Sequence, residues 1–175
     1  MAVGQTQQQC EKGGYTFETE SNRVQNKLLS STSPIFTSSR LIAAKPYFSN
    51  VKKHAEYSLL TDDRMNNLLN GATNECVVFY SYYSPCLDRC LNADDGVNII
   101  NLLHVFNKIN DNKWKAFVFT HQVFEGFRSV SRYIPIFRCT KTECFDCMEN
   151  QNVDKNKYMF HIKIGIRVKK LWRII

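Results

Sequence analysis

The apolar positions of this chain are concentrated in short runs separated by polar breakers. Cys76 to Tyr83 (CVVFYSYY) and Lys115 to Thr120 (KAFVFT) are dense in β-branched and aromatic residues, and each predicts a buried strand. Ile35 to Ala44 predicts one strand or a hairpin that turns near Ser38-Ser39. Asn22 to Leu29 has helical character and ends at the breaker Ser30-Ser31-Thr32-Ser33-Pro34. From Lys53 to Asn70, Tyr57, Leu60, Met65, Leu68 and Leu69 recur at helical spacing, with Ser49 or Asn50 as the expected cap and Asn70-Gly71 as the stop. Ser84-Pro85 predicts another helix start, Ser at the N-cap and Pro at the first helical position, with a break at Asp94-Asp95-Gly96 and a restart through Val97 to Lys108. His121 to Asn156 shows no clear period. Phe160 to Lys169 alternates Ile162, Ile164, Ile166 and Val168 with Lys163, Gly165, Arg167 and Lys169, a strand with one apolar and one basic face. Strand, helix, strand, helix, strand in this order predicts an α/β sheet with parallel members.

At 175 residues the chain is long enough for one domain with its own core. Met1 to Gly14 is Gln- and Gly-rich and is expected to be a disordered tail, leaving residues 15–175 as a single domain. No run is apolar enough to span a membrane, and the start of the chain lacks the apolar segment of a signal peptide. The expected location is therefore cytoplasmic or nuclear, or outside the cell if a leader has been trimmed. The net charge of +7 favours an anionic partner, nucleic acid above all. The oligomeric state is not legible.

Chemistry is concentrated at two places. His54-Ala55-Glu56 opens one predicted helix, and Pro85-Cys86-Leu87-Asp88-Arg89-Cys90 opens the next after a strand. A catalytic zinc takes three protein ligands and leaves a fourth position open, which suits His54, Cys86 and Cys90. Cysteines four apart on a helix would project about 40° apart, from one face, and a helix start would favour their thiolates. Glu56 is too close to His54 to share its metal position easily, and it can serve as the general acid/base toward a water that zinc activates.

With these residues the chain resembles the zinc-dependent deaminase superfamily, whose signature is H-x-E followed by P-C-x-x-C. The resemblance runs over His54 to Thr120 and is carried by His54-Ala55-Glu56, Tyr82-Tyr83-Ser84-Pro85-Cys86 and Phe117-Val118-Phe119-Thr120. It is greatest to the AID/APOBEC-like polynucleotide cytosine deaminases, and among them to the divergent novel or secreted AID/APOBEC-like proteins. The resemblance implies a three-layer α/β/α sandwich around a mixed five-stranded sheet, one zinc at His54, Cys86 and Cys90, and Glu56 as proton shuttle. It implies that Tyr83 replaces a tryptophan walling the base pocket, beside Ser84 and His121. Phe124 then takes the aromatic position of a substrate-reading loop, with Gln122 where a basic residue is usual. The cysteines stand four apart instead of three.

The implied reaction is hydrolytic deamination of cytosine to uracil in single-stranded nucleic acid, DNA ahead of RNA. Two alternatives remain: a free (deoxy)cytidine nucleotide deaminase, or an inactive zinc-stabilised nucleic-acid-binding domain. Small-nucleotide deaminases place an Asn two residues after the Glu, where this chain has Ser58. An intact Glu56 favours an enzyme over a binding module. Tyr80, Tyr82 and Tyr83 are each candidates to touch a base, and Lys163, Arg167, Lys169, Lys170 and Arg173 to track phosphates. Seven cysteines leave five beyond the catalytic pair. Cys139, Cys144 and Cys147 fit disulfides, with Cys10 or Cys76 as partners, or free thiols, or, as the least favoured reading, a second structural zinc with His161.

Overall fold

The computed structural model describes residues 2–5, 18–30, 33–48, 52–121, 127–140 and 144–148. Its largest sheet has seven strands in the order β2-β3-β1-β6-β7-β8-β9. These are β1 (Ala2–Gln5), β2 (Ile35–Thr37), β3 (Leu41–Ala44), β6 (Cys76–Tyr83), β7 (Lys115–His121), β8 (Ile136–Cys139) and β9 (Cys144–Asp146). A separate antiparallel ribbon pairs β4 (Tyr47–Phe48) with β5 (Lys52–Lys53). The helices are α1 (Glu18–Ser30), α2 (Ala55–Leu60), α3 (Asp63–Gly71), a 3-10 helix (Asn101–Lys108) and α4 (Arg128–Ser131). No helix among the described residues is long and apolar enough to cross a membrane.

The centre of the sheet is parallel, β6 beside β7 and β7 beside β8, while every other pairing is antiparallel. Buried on both faces, β6 carries the continuous apolar run that such a position demands. Its alternation splits the core. Val77 and Phe79 join Leu59, Leu60, Met65, Leu69, Leu103 and Phe106 on the face covered by α2, α3 and the 3-10 helix. Val78 and Tyr80 join Ala116, Val118 and Phe137 on the other. On β2 and β3, Phe36, Leu41 and Ala43 pack under Val24 and Leu28 of α1. Helices thus lie on both faces of a mixed sheet, the three-layer arrangement of a cytidine-deaminase-like fold. Phe79 anchors the first core, edge-on to Phe117 with ring centroids 4.9 Å apart.

Several expectations are corrected. The sheet has seven strands among the described residues where five were expected. Ala2–Gln5, assigned to a disordered tail, form β1 between β3 and β6, with Val3 opposite Val78. The helix expected over Lys53 to Asn70 is two, because the Asp62 carboxylate accepts from the Arg64 amide at 3.0 Å and caps a new start. His54, in place of Ser49 or Asn50, precedes the first of them. The helix expected at Ser84-Pro85 does not form: residues 87–91 are turns. The side chains explain it. The Cys90 amide lies 3.4 Å from Cys86 Sγ, and Asn92 Nδ2 donates to the Asp88 carbonyl at 3.3 Å. Side chains of the segment thus take an amide and a carbonyl that a helix would need. The expected strand over Phe160 to Lys169, with its basic face, and Lys170 and Arg173 beyond it, lies outside the described residues.

Candidate metal centre

In sheets with parallel strands, ligands bind beyond the carboxyl ends of those strands. Here β6 ends at Tyr83 and runs into Ser84-Pro85-Cys86, while β7 ends at His121, and Tyr83 pairs with His121. His54 sits in extended backbone at the N-cap of α2. Its carbonyl accepts from the Ser58 amide at 3.1 Å, and its ring makes no capping bond. The ring is turned to the two cysteines instead: Nδ1 lies 3.1 Å from Cys90 Sγ and 3.7 Å from Cys86 Sγ. The two sulfurs are 3.4 Å apart and are not disulfide-bonded.

The turns that replace the expected helix still bring both sulfurs to one point. The Leu91 amide donates to the Cys86 carbonyl at 2.9 Å and the Ile99 amide to the Cys90 carbonyl at 2.8 Å. Arg89 ties this segment down, with Nε 3.1 Å from Asp95 Oδ2 and Nη1 donating to the Lys52 carbonyl at 3.0 Å. The thiol preference argued from a helix start therefore does not apply here.

The three donors suit zinc. Their ligand atoms all lie within 4.8 Å of one another. A tetrahedral zinc with Zn–S of about 2.3 Å and Zn–N of about 2.0 Å would hold its sulfurs about 3.8 Å apart and nitrogen about 3.5 Å from sulfur. The separations seen are close to that. Cys90 is only 1% exposed, and burial, reinforced by the Glu56 charge, pushes its thiol well above the ordinary range. A dication at this point reverses that penalty, because a coordinated thiol gives up its proton. Glu56, 8% exposed in the first turn of α2, adds a buried carboxylate beside the donors, and the Ser81 hydroxyl donates to its Oε1.

Of the expected substrate contacts, Tyr83 is 55% exposed at the end of β6. Its ring is 4.8 Å from that of Tyr82 and 6.0 Å from that of His121, and Tyr82 and His121 lie 4.6 Å apart. Ser84 is buried, with its amide donating to the His121 carbonyl at 3.0 Å and its hydroxyl without a hydrogen-bond partner among the described residues. Phe124 and Gln122 lie outside the described residues. Tyr80 is buried on the far face, its hydroxyl 3.1 Å from Thr120 Oγ1, so it has no access to a base. A second zinc at Cys139, Cys144 and Cys147 is ruled out, because Cys139 and Cys144 are disulfide-bonded to each other and not to Cys10 or Cys76. Cys76 is itself disulfide-bonded. Cys147 is not disulfide-bonded, and burial pushes its thiol up to about 12.

Two residues of the site were not singled out from sequence. Ser81 is the one serine inside a run of β-formers, and Arg89 looked like an ordinary polar residue between the cysteines.

No curated protein and no solved structure matches the chain. A family model, Secreted Novel AID/APOBEC-like Deaminase 1, matches residues 1–159, well beyond the stretch that holds the metal ligands. With that match over most of its length, the chain belongs to the Secreted Novel AID/APOBEC-like Deaminase 1 family.

Proposed function

We propose that this protein hydrolyses the exocyclic amine of cytosine to give uracil and ammonia, acting on single-stranded nucleic acid and on DNA ahead of RNA. The observation that carries the reading is the convergence of His54 Nδ1, Cys86 Sγ and Cys90 Sγ beside the buried Glu56 carboxylate, where β6 and β7 end. Zinc bound by His54, Cys86 and Cys90 supplies a Lewis acid that activates water at neutral pH. Glu56 takes one proton from the attacking water and passes it to the ring nitrogen, then takes the proton of the new C4 hydroxyl and passes it to the amine, which leaves as ammonia. The C4–O bond forms first and the C4–N bond breaks after the second transfer, and each transfer returns Glu56 to its carboxylate form. Burial keeps bulk water from competing for that proton.

A polymer substrate is supported by the net charge of +7 and by the exposed Tyr83 ring grouped with Tyr82 and His121. An aromatic platform favours an unstacked base, and a single strand spares the cost of flipping one out of a duplex. The domain expected over residues 15–175 carries the activity, with Ala2–Gln5 completing its sheet. Action in an oxidising compartment is supported by the family's designation as secreted and by the Cys139–Cys144 disulfide.

The test is to incubate the zinc-loaded protein with cytosine in single-stranded DNA, in RNA and as free nucleotides, and to score uracil. Conversion of the DNA oligonucleotide, falling steeply as salt rises, is the expected result. Equal or better conversion of free nucleotides without salt dependence would move the activity to nucleotide metabolism, and zinc binding without turnover would leave a binding domain.

A further inference from the structure

Along β6 the side chains alternate faces. Val77 and Phe79 point into the core shared with α2, α3 and the 3-10 helix, and the next residue in that row is Ser81. The row is apolar until it reaches the level of Glu56, and there it supplies a hydroxyl. Ser81 Oγ donates to Glu56 Oε1, and among the described residues it is the one hydrogen-bond donor to that carboxylate. Glu56 itself is 8% exposed. A carboxylate so buried is costly without a donor. The donor is also held firmly, because Ser81 lies in a strand flanked by β1 and β7 and pairs with Phe119.

We propose that Ser81 is a positioning residue for the deamination reaction. It fixes Glu56 through Oε1 and leaves Oε2 as the oxygen that exchanges protons with water and base. A glutamate side chain has three rotatable bonds, and its proton transfers need a narrow geometry. One bond from a rigid strand selects the productive rotamer before substrate arrives. Ser81 touches neither substrate nor metal in this role, so its loss slows the chemical step without weakening binding. The inference rests on the deaminase reading above.

The test compares wild type with Ser81→Ala, Ser81→Val, Ser81→Thr and Glu56→Ala on a cytosine-containing single-stranded DNA oligonucleotide. It measures kcat and KM, oligonucleotide Kd, zinc per chain and Tm. Valine and threonine are nearly the same shape and both suit a strand, so the pair separates the hydroxyl from packing. The expected result is a kcat lowered about 10- to 100-fold in Ser81→Val and Ser81→Ala, with KM, Kd and zinc content near wild type and a Tm lower by about 2–4 °C in both, for the donor that Glu56 loses. Ser81→Thr should keep kcat within about threefold, because it restores the donor. A wild-type kcat in Ser81→Val, or equal losses in Val and Thr accompanied by lost zinc or a lower Tm, would overturn the inference. A wild type that converts nothing would overturn the deaminase reading and this inference together. An active wild type, silenced by Glu56→Ala and untouched by Ser81→Val, would overturn this inference alone.

Discussion

Cys86 and Cys90 stand four residues apart, and Cys139 and Cys144 stand five apart, yet the two pairs have opposite fates. Cys139 and Cys144 face each other across the antiparallel pair β8–β9, Cα to Cα 4.0 Å, and are joined. Cys86 and Cys90 lie in a run of turns with sulfurs 3.4 Å apart and unjoined, and a histidine nitrogen stands beside both. Similar spacing therefore says little about the chemistry of a cysteine pair. The backbone that presents the sulfurs and the third donor decide it: a strand pair makes a staple, and a turn beside His54 makes a group that could hold a metal.

The contrast can be broken in order of expected effect. His54→Ala or Cys90→Ala should remove the zinc, abolish turnover and lower stability by about 4 kcal/mol where free zinc exceeds the wild-type Kd a thousandfold. Elemental analysis and thermal melting check this, and full zinc content in either variant would contradict the ligand set. Replacing Cys139 and Cys144 by serine should cost about 2 kcal/mol, the loop-closure value for so short a loop, and leave zinc at one per chain. A loss of zinc in that double variant would mean that the two regions are coupled.

Smaller effects sharpen the substrate side and the scaffold. Tyr83→Ala should raise KM for an oligonucleotide about tenfold, equivalent to roughly 1.4 kcal/mol of lost base stacking, with little change in kcat. An unchanged KM would remove Tyr83 from the binding surface. Arg89→Ala severs the link from the cysteine turn to the Lys52 carbonyl and to Asp95. It should cost about 1 kcal/mol, read as a severalfold easier loss of zinc to a chelator.

What was legible in the sequence follows from how local each signal is. Cys76–Tyr83 carries its strand preference in its own side chains and was bounded correctly, and β7 extends one residue past its expected end. The hairpin over Ile35 to Ala44 turns where Ser38-Ser39 predicts, with the Ser38 amide donating to the Leu41 carbonyl at 2.7 Å. His54, Cys86 and Cys90 could be picked out as one group, with Glu56 beside them, because their residue types and order are rare in combination. Other features depend on partners distant in sequence. Ala2–Gln5 is too short, with Val3 its one β-former, to predict a strand, and it becomes one because β3 and β6 flank it. The segment after Pro85 has a helix-start signature, but the Cys86 sulfur and the Asn92 side chain compete for its backbone. Ser81 is ordinary until Glu56, 25 residues earlier, folds over it.

The most direct test of the account is cytosine-to-uracil conversion in a single-stranded DNA oligonucleotide by zinc-loaded wild type and by zinc-loaded Glu56→Ala. The account predicts conversion by the wild type and a loss of about 100-fold to 10,000-fold in the variant, with zinc content and Tm unchanged. Conversion by Glu56→Ala at near the wild-type rate, or no conversion by a fully zinc-loaded wild type, would contradict it.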